Sequence, residues 1–173
     1  MNGFLFASWL GLLAVAQTGP PDETIPSEAQ VRDTIKAGLD FLMGNQEPDG
    51  SWGHYRNAGA DEFWTNPETH RSWTVAVTGL VCLTLVETGL NDSNRAAYDK
   101  GIDYILDNAL VKRPSEWDTD NTWAYVYALP ALVDAYRRLP ETAAERRARV
   151  KTMTDAVIGI LAKTQTPSGG WGY

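Results

Sequence analysis

Gln46-Glu47-Pro48-Asp49-Gly50-Ser51-Trp52-Gly53 and Gln165-Thr166-Pro167-Ser168-Gly169-Gly170-Trp171-Gly172 are two copies of one pattern, at an offset of 119. Each follows an apolar helix end, Leu39 to Leu42 in the first case and Ala156 to Leu161 in the second. The pattern has a physical logic. A helix ends on free carbonyls that need donors, and a Gln amide can supply them. Glycines permit the positive φ of a tight reversal. A Trp adds a broad flat face and a single N–H. Together these residues predict a staple that fastens the end of one helical hairpin to the next.

Outward from the two turns, the chain reads as five helices and no strand. Ser27-Glu28-Ala29-Gln30 is a capping-box pattern and opens a helix to about Gly44. Val31, Ile35, Leu39 and Leu42 form its apolar stripe. Trp73 to Val86 is apolar or small nearly all round, which predicts burial on both sides. About Arg95 to Leu110 is amphipathic again, and Thr122 to about Tyr136 is again apolar almost throughout. A second capping-box pattern, Thr142-Ala143-Ala144-Glu145, opens the fifth helix. Single glycines at Gly101 and Gly159 read as close-packing points.

One-sided and all-round apolar helices therefore alternate, which two concentric layers explain, whereas a plain bundle gives every helix a polar face. Internal matches agree with this. Ala37-Gly38-Leu39-Asp40-Phe41-Leu42 resembles Lys100-Gly101-Ile102-Asp103-Tyr104-Ile105, and Ser72-Trp73-Thr74 resembles Thr122-Trp123-Ala124. The expected class is all-α, an α/α toroid in the form of an incomplete α/α barrel or solenoid of helical hairpins, over residues 27–173.

The two Gln-to-Trp stretches resemble the Gln-Trp repeat of squalene and oxidosqualene cyclases, shared more loosely with protein prenyltransferases. The resemblance runs from about Ser27 to Tyr173, with a degenerate middle copy that has Ala109 where Gln is expected. In that superfamily the motif is structural, so it argues for fold rather than activity. Asp118-Thr119-Asp120-Asn121-Thr122 is similar to the Asp-x-Asp-Asp-Thr motif of squalene-hopene cyclases, with Asn121 in place of the last Asp. The resemblance implies Asp120 as the protonating acid and Asp118 as its neighbour. The same residue types are also those preferred at a helix N-terminus.

The zinc site of prenyltransferases has no visible counterpart. Cys82 lies in an apolar helix, and His54 and His70 sit among Asp61, Glu62 and Glu68 without metal-ligand spacing. No metal and no cofactor are expected. The long connection from Gly53 to Arg71 is a candidate rim, with His54, Tyr55, Arg56, Trp64 and His70 as lining residues. A sugar-binding use of the loop tryptophans Trp52, Trp64, Trp117 and Trp171 is the competing reading to stapling.

Composition narrows the classes further. The chain carries 15 Lys+Arg against 22 Asp+Glu, a formal charge of −7, without a basic stripe suited to nucleic acid. Phe4 to Ala16 is an apolar run ending in Ala14-Val15-Ala16, which fits a leader-peptide cleavage site near Ala16 and predicts export. That run is too short to span a bilayer; a buried first helix is its other reading. Residues 17–26, with Pro20, Pro21 and Pro26, form the linker, and the single cysteine allows no internal disulfide.

Three functions are open. One is part of an exported terpene-cyclase-like enzyme acting on a hydrophobic isoprenoid. The second is a non-catalytic toroid module binding a small ligand or protein partner, and the third a polysaccharide-active α/α-barrel enzyme. Because toroids of this kind close with more hairpins than the two present here, the chain is expected to be partial, needing further repeats or an oligomeric partner.

Overall fold

The computed structural model describes residues 25–53, 66–113, 115 and 119–171. The expected leader at 1–16 and most of the linker lie outside them. The described residues are all-helical: α1 Glu28–Gly44, α2 Pro67–Glu87, α3 Arg95–Asn108, α4 Asn121–Arg138 and α5 Ala144–Thr164, with no strand among them. No helix among the described residues is long and apolar enough to cross a membrane.

Capping explains where two of the helices start. Ser27 forms the predicted capping box, its hydroxyl accepting from the Gln30 N–H while the Gln30 side chain accepts from the Ser27 N–H. Helix α2 begins six residues before the expected Trp73. Asn66 caps it by accepting from the Glu68 N–H at 2.9 Å, and Pro67 takes the first helical position, where no N–H is needed. The capping box expected at Thr142 is not formed. The N-cap of α5 is Ala143, which offers no side-chain bond. That helix is positioned instead by Arg147, which donates to the Tyr136 carbonyl and lies 4.3 Å over the Tyr136 ring.

The packing centres on one helix pair among the described residues. Among the described helices α2 and α4 make the most extensive contact, α3 packs against α2, and α5 packs against α4. The α2–α4 crossing is close because Gly79 has no side chain: a Cβ there would meet the Tyr127 carbonyl oxygen at 2.5 Å. Leu85, Ile102, Ile105, Leu132, Val150 and Val157 fill the core that these helices share. Cys82 is fully buried there, and desolvation pushes its thiol up to about 12, which leaves it inert as a nucleophile.

The first helix departs from its expected role. It contains no buried residue; Val31 and Ile35 are 42% and 46% exposed, and only Leu39, Leu42 and Met43 reach the core. An apolar stripe marks a face suited to burial, but burial needs a neighbour, and the described residues provide one only near the helix end. Gly101 is a close-packing point as expected, whereas Gly159 has open space where a Cβ would stand.

Candidate functional site

The heads of α2 and α4 lie side by side, and together they carry an aromatic ladder. Trp73 of α2 stacks on Trp123 of α4, with centroids 5.8 Å apart and planes 23° from parallel. Trp123 stacks in turn on Tyr127, one helical turn further along α4, at 6.0 Å and 12°. All three rings are half-buried, with part of each still open. The Trp73 indole N–H points to the Asp120 carboxylate at 3.3 Å.

Asp120 thus occupies the N-cap position of α4 without capping it, since its side chain makes no bond to the free N–H groups of the first turn. The carboxylate instead accepts from Trp73 and orients that ring against Trp123. Its expected neighbour Asp118 lies outside the described residues, as do Trp117, Trp64, His54, Tyr55, Arg56, Asp61 and Glu62. Next to Asp120, the Thr119 hydroxyl is buried with no hydrogen-bond partner.

The connection ahead of α4 is pinned from both helices. Glu68 accepts the Lys112 N–H at 3.1 Å and pairs with Arg71 at 3.3 Å. The Tyr125 hydroxyl donates to the Val111 carbonyl at 2.5 Å, and burial pushes that phenol up. These ties hold the heads of α2 and α4 in register, so the ladder belongs to a firmly tied corner of the molecule. Of the expected rim residues, His70 is within α2 itself, half-buried. Among the described residues no group of three His, Cys, Asp or Glu side chains converges as metal ligands would.

The loop tryptophans have different fates. Trp52 is 2% exposed and unavailable to a sugar. Its indole N–H donates to the Leu42 carbonyl at 2.7 Å, beside the Asn45 N–H, so the Trp, not the Gln, bonds the carbonyl end of α1. Gln46 does something else: its amide bridges the turn to the Gly50 carbonyl and reaches the Ala97 carbonyl of α3, each at 2.9 Å. The Trp52 backbone N–H donates to the Thr78 hydroxyl of α2 at 3.0 Å, and its ring lies where a Cβ on Gly101 would come within 2.9 Å of it.

The second turn is built alike. Trp171 donates to the Leu161 carbonyl at 2.7 Å, and Gln165 to the Gly169 carbonyl at 2.8 Å. Gly169, at φ +89°, repeats Gly50 at φ +92°, a conformation that an L side chain rarely adopts. Trp171 nevertheless stays 44% exposed.

The ladder is not among the residues that sequence alone singles out, because its rings lie within apolar helices, where a Trp or Tyr reads as core. Its signal is present in the match between Trp73 and Trp123 and in the four-residue spacing of Trp123 and Tyr127. Comparison with protein-family models, with curated proteins and with solved structures found no match to the chain.

Proposed function

We propose that this chain is a helical-hairpin module of the α/α-toroid kind, squalene-cyclase- and prenyltransferase-like, exported, and that its paired helices α2 and α4 wall a binding site for a hydrophobic isoprenoid-like ligand. The observation that carries the reading is the ladder Trp73–Trp123–Tyr127, three half-open rings held in one row on the two most closely packed helices. Aromatic rings offer large apolar area at small entropic cost, which suits a long hydrocarbon better than a polar ligand. The two turns with matching bonds support the repeat architecture, and the Ala14-Val15-Ala16 pattern supports export.

Binding is favoured over catalysis for the described part of the chain. The Asp120 carboxylate is engaged by the Trp73 indole, so its role here is to position that ring. The proton-donating role that the resemblance implies for Asp120 and Asp118 requires a carboxylic acid aimed at the ligand.

The test is titration of the purified chain with farnesol, a C15 isoprenoid alcohol, followed by indole NMR signals. Shifts confined to Trp73 and Trp123, lost in Trp123→Ala, are expected. Shifts that survive Trp123→Ala, or none up to the solubility limit, would overturn the site. Formation of a cyclised product from squalene, abolished by Asp120→Asn, would replace binding with catalysis.

A further inference from the structure

Far along the helices from the ladder, a cavity of about 210 Å³ opens between the first turns of α3, the last turn of α4 and the first turn of α5. Its lining includes three guanidiniums, Arg95, Arg138 and Arg146, against one carboxylate, Asp99. Such a concentration is unexpected in a chain of net charge −7. The floor is apolar and fixed: Tyr98 and Ile102 are 3% and 1% exposed.

Two of the arginines are held in place by carboxylates, Arg138 by Asp134 and Arg146 by Asp103 and, at 3.8 Å, by Asp99 of the lining itself. Arg138 donates through Nε to Asp134 at 2.6 Å, and Asp134 also accepts from the Tyr98 hydroxyl at 3.3 Å. Arg146 donates to Asp103 and to the Asp99 backbone carbonyl, each at 3.3 Å. These bonds orient the two guanidinium planes but leave other N–H groups of each unengaged, since a guanidinium has five. The Arg95 side chain has no hydrogen bond or ion pair among the described residues. Two pre-oriented guanidiniums and one free one around a small cavity with an apolar floor make a receptor for a planar or tetrahedral oxyanion.

We propose that this cavity binds a compact oxyanion, a carboxylate or phosphate group on a small body with a short apolar part. Binding at this site is independent of the ladder, which lies toward the opposite end of α4. Arg95 contributes the decisive contact, because it alone of the three has no protein carboxylate to leave.

The test is NMR titration of the intact chain at low ionic strength with inorganic phosphate and, separately, with succinate. Saturable shifts at Tyr98 and Ala135 are expected for at least one probe, and the probe that binds assigns the oxyanion type. Arg95→Ala, at an exposed position without partners, should weaken that binding about tenfold or more, the weight of one charge-assisted hydrogen bond. Arg137→Ala, a neighbouring exposed cation outside the cavity, should leave it unchanged. Equal losses in the two variants would reduce the effect to general charge attraction and overturn the site. Absence of saturation with either probe would do the same.

Discussion

The two Gln-to-Trp turns are the same device in two settings. Inside each turn the bonds agree to a tenth of an ångström: indole to the carbonyl ten residues back at 2.7 Å, Gln amide to the glycine carbonyl at 2.9 and 2.8 Å. Outside, they differ. The first turn meets Thr78 of α2 and Ala97 of α3, and Trp52 is 2% exposed. Among the described residues the second turn meets no such partners, and Trp171 is 44% exposed.

The helices that lead into these turns show the opposite imbalance. Val31 in α1 and Val150 in α5 are related by the same offset as the two tryptophans, yet Val31 is 42% exposed and Val150 fully buried. Helix α5 has α4 beside its body; α1 has nothing comparable among the described residues. A unit of this kind therefore has two separate joints. The helix body packs on the helix before it in the chain, and the turn packs on the helices after it. Among the described residues the first copy has only the second joint made, and the second copy only the first.

The largest expected effect separates the tryptophans. Trp52→Ala should cost about 3–5 kcal/mol in urea unfolding, the range for a buried aromatic, whereas Trp171→Ala should cost under about 1 kcal/mol. Equal losses would mean that the bonds within the turn, not its docking, carry the stability. The valines should reverse the order of the two copies. Val150→Ala should lower stability by about 1.5–3 kcal/mol, and Val31→Ala should fall within about 0.5 kcal/mol of the parent. A cost at Val31 matching that at Val150 would show that α1 packs as tightly in solution as α5.

The smallest effect separates the matched glycines of α1 and α3. A Cβ at Gly101 would stand 2.7 Å from the Cys82 sulfur, while one at Gly38 meets nothing within 4 Å. Gly101→Ala should destabilise by about 1–3 kcal/mol through overpacking. Gly38→Ala should instead stabilise by up to about 1 kcal/mol, through helix propensity alone. A stabilising Gly101→Ala would show that the Trp52 joint has room to spare.

Much of the helical order is readable from residues alone: the capping box at Ser27, the all-round apolar runs of α2 and α4, and both turns. The start of α2 is not, because Asn66-Pro67 signals a cap only once the polar first turns beyond it are known to be helical. The box at Thr142 fails because a local bond competes with the turn geometry and the Arg147 contacts that set the entry into α5. For the candidate site, Asp120 stands out in the sequence, but its partner Trp73 is 47 residues away. No local pattern predicts that pairing. The ladder leaves a partial trace in the four-residue spacing of Trp123 and Tyr127, but the stacking of Trp73 on it and the arginine-lined cavity join helices distant in sequence.

By itself, the sequence determined the internal form of each Gln-to-Trp turn, because all its bonds close within ten residues and its glycines alone permit the backbone path. It also determined which faces of the helices are suited to burial. Only the tertiary structure decided which of those faces are buried. Removing apolar surface from water requires a second surface, and whether one is present is a property of neighbours rather than of the residues themselves. Trp52 and Trp171 are the same residue in the same turn; α2 and α3 are what make one of them core.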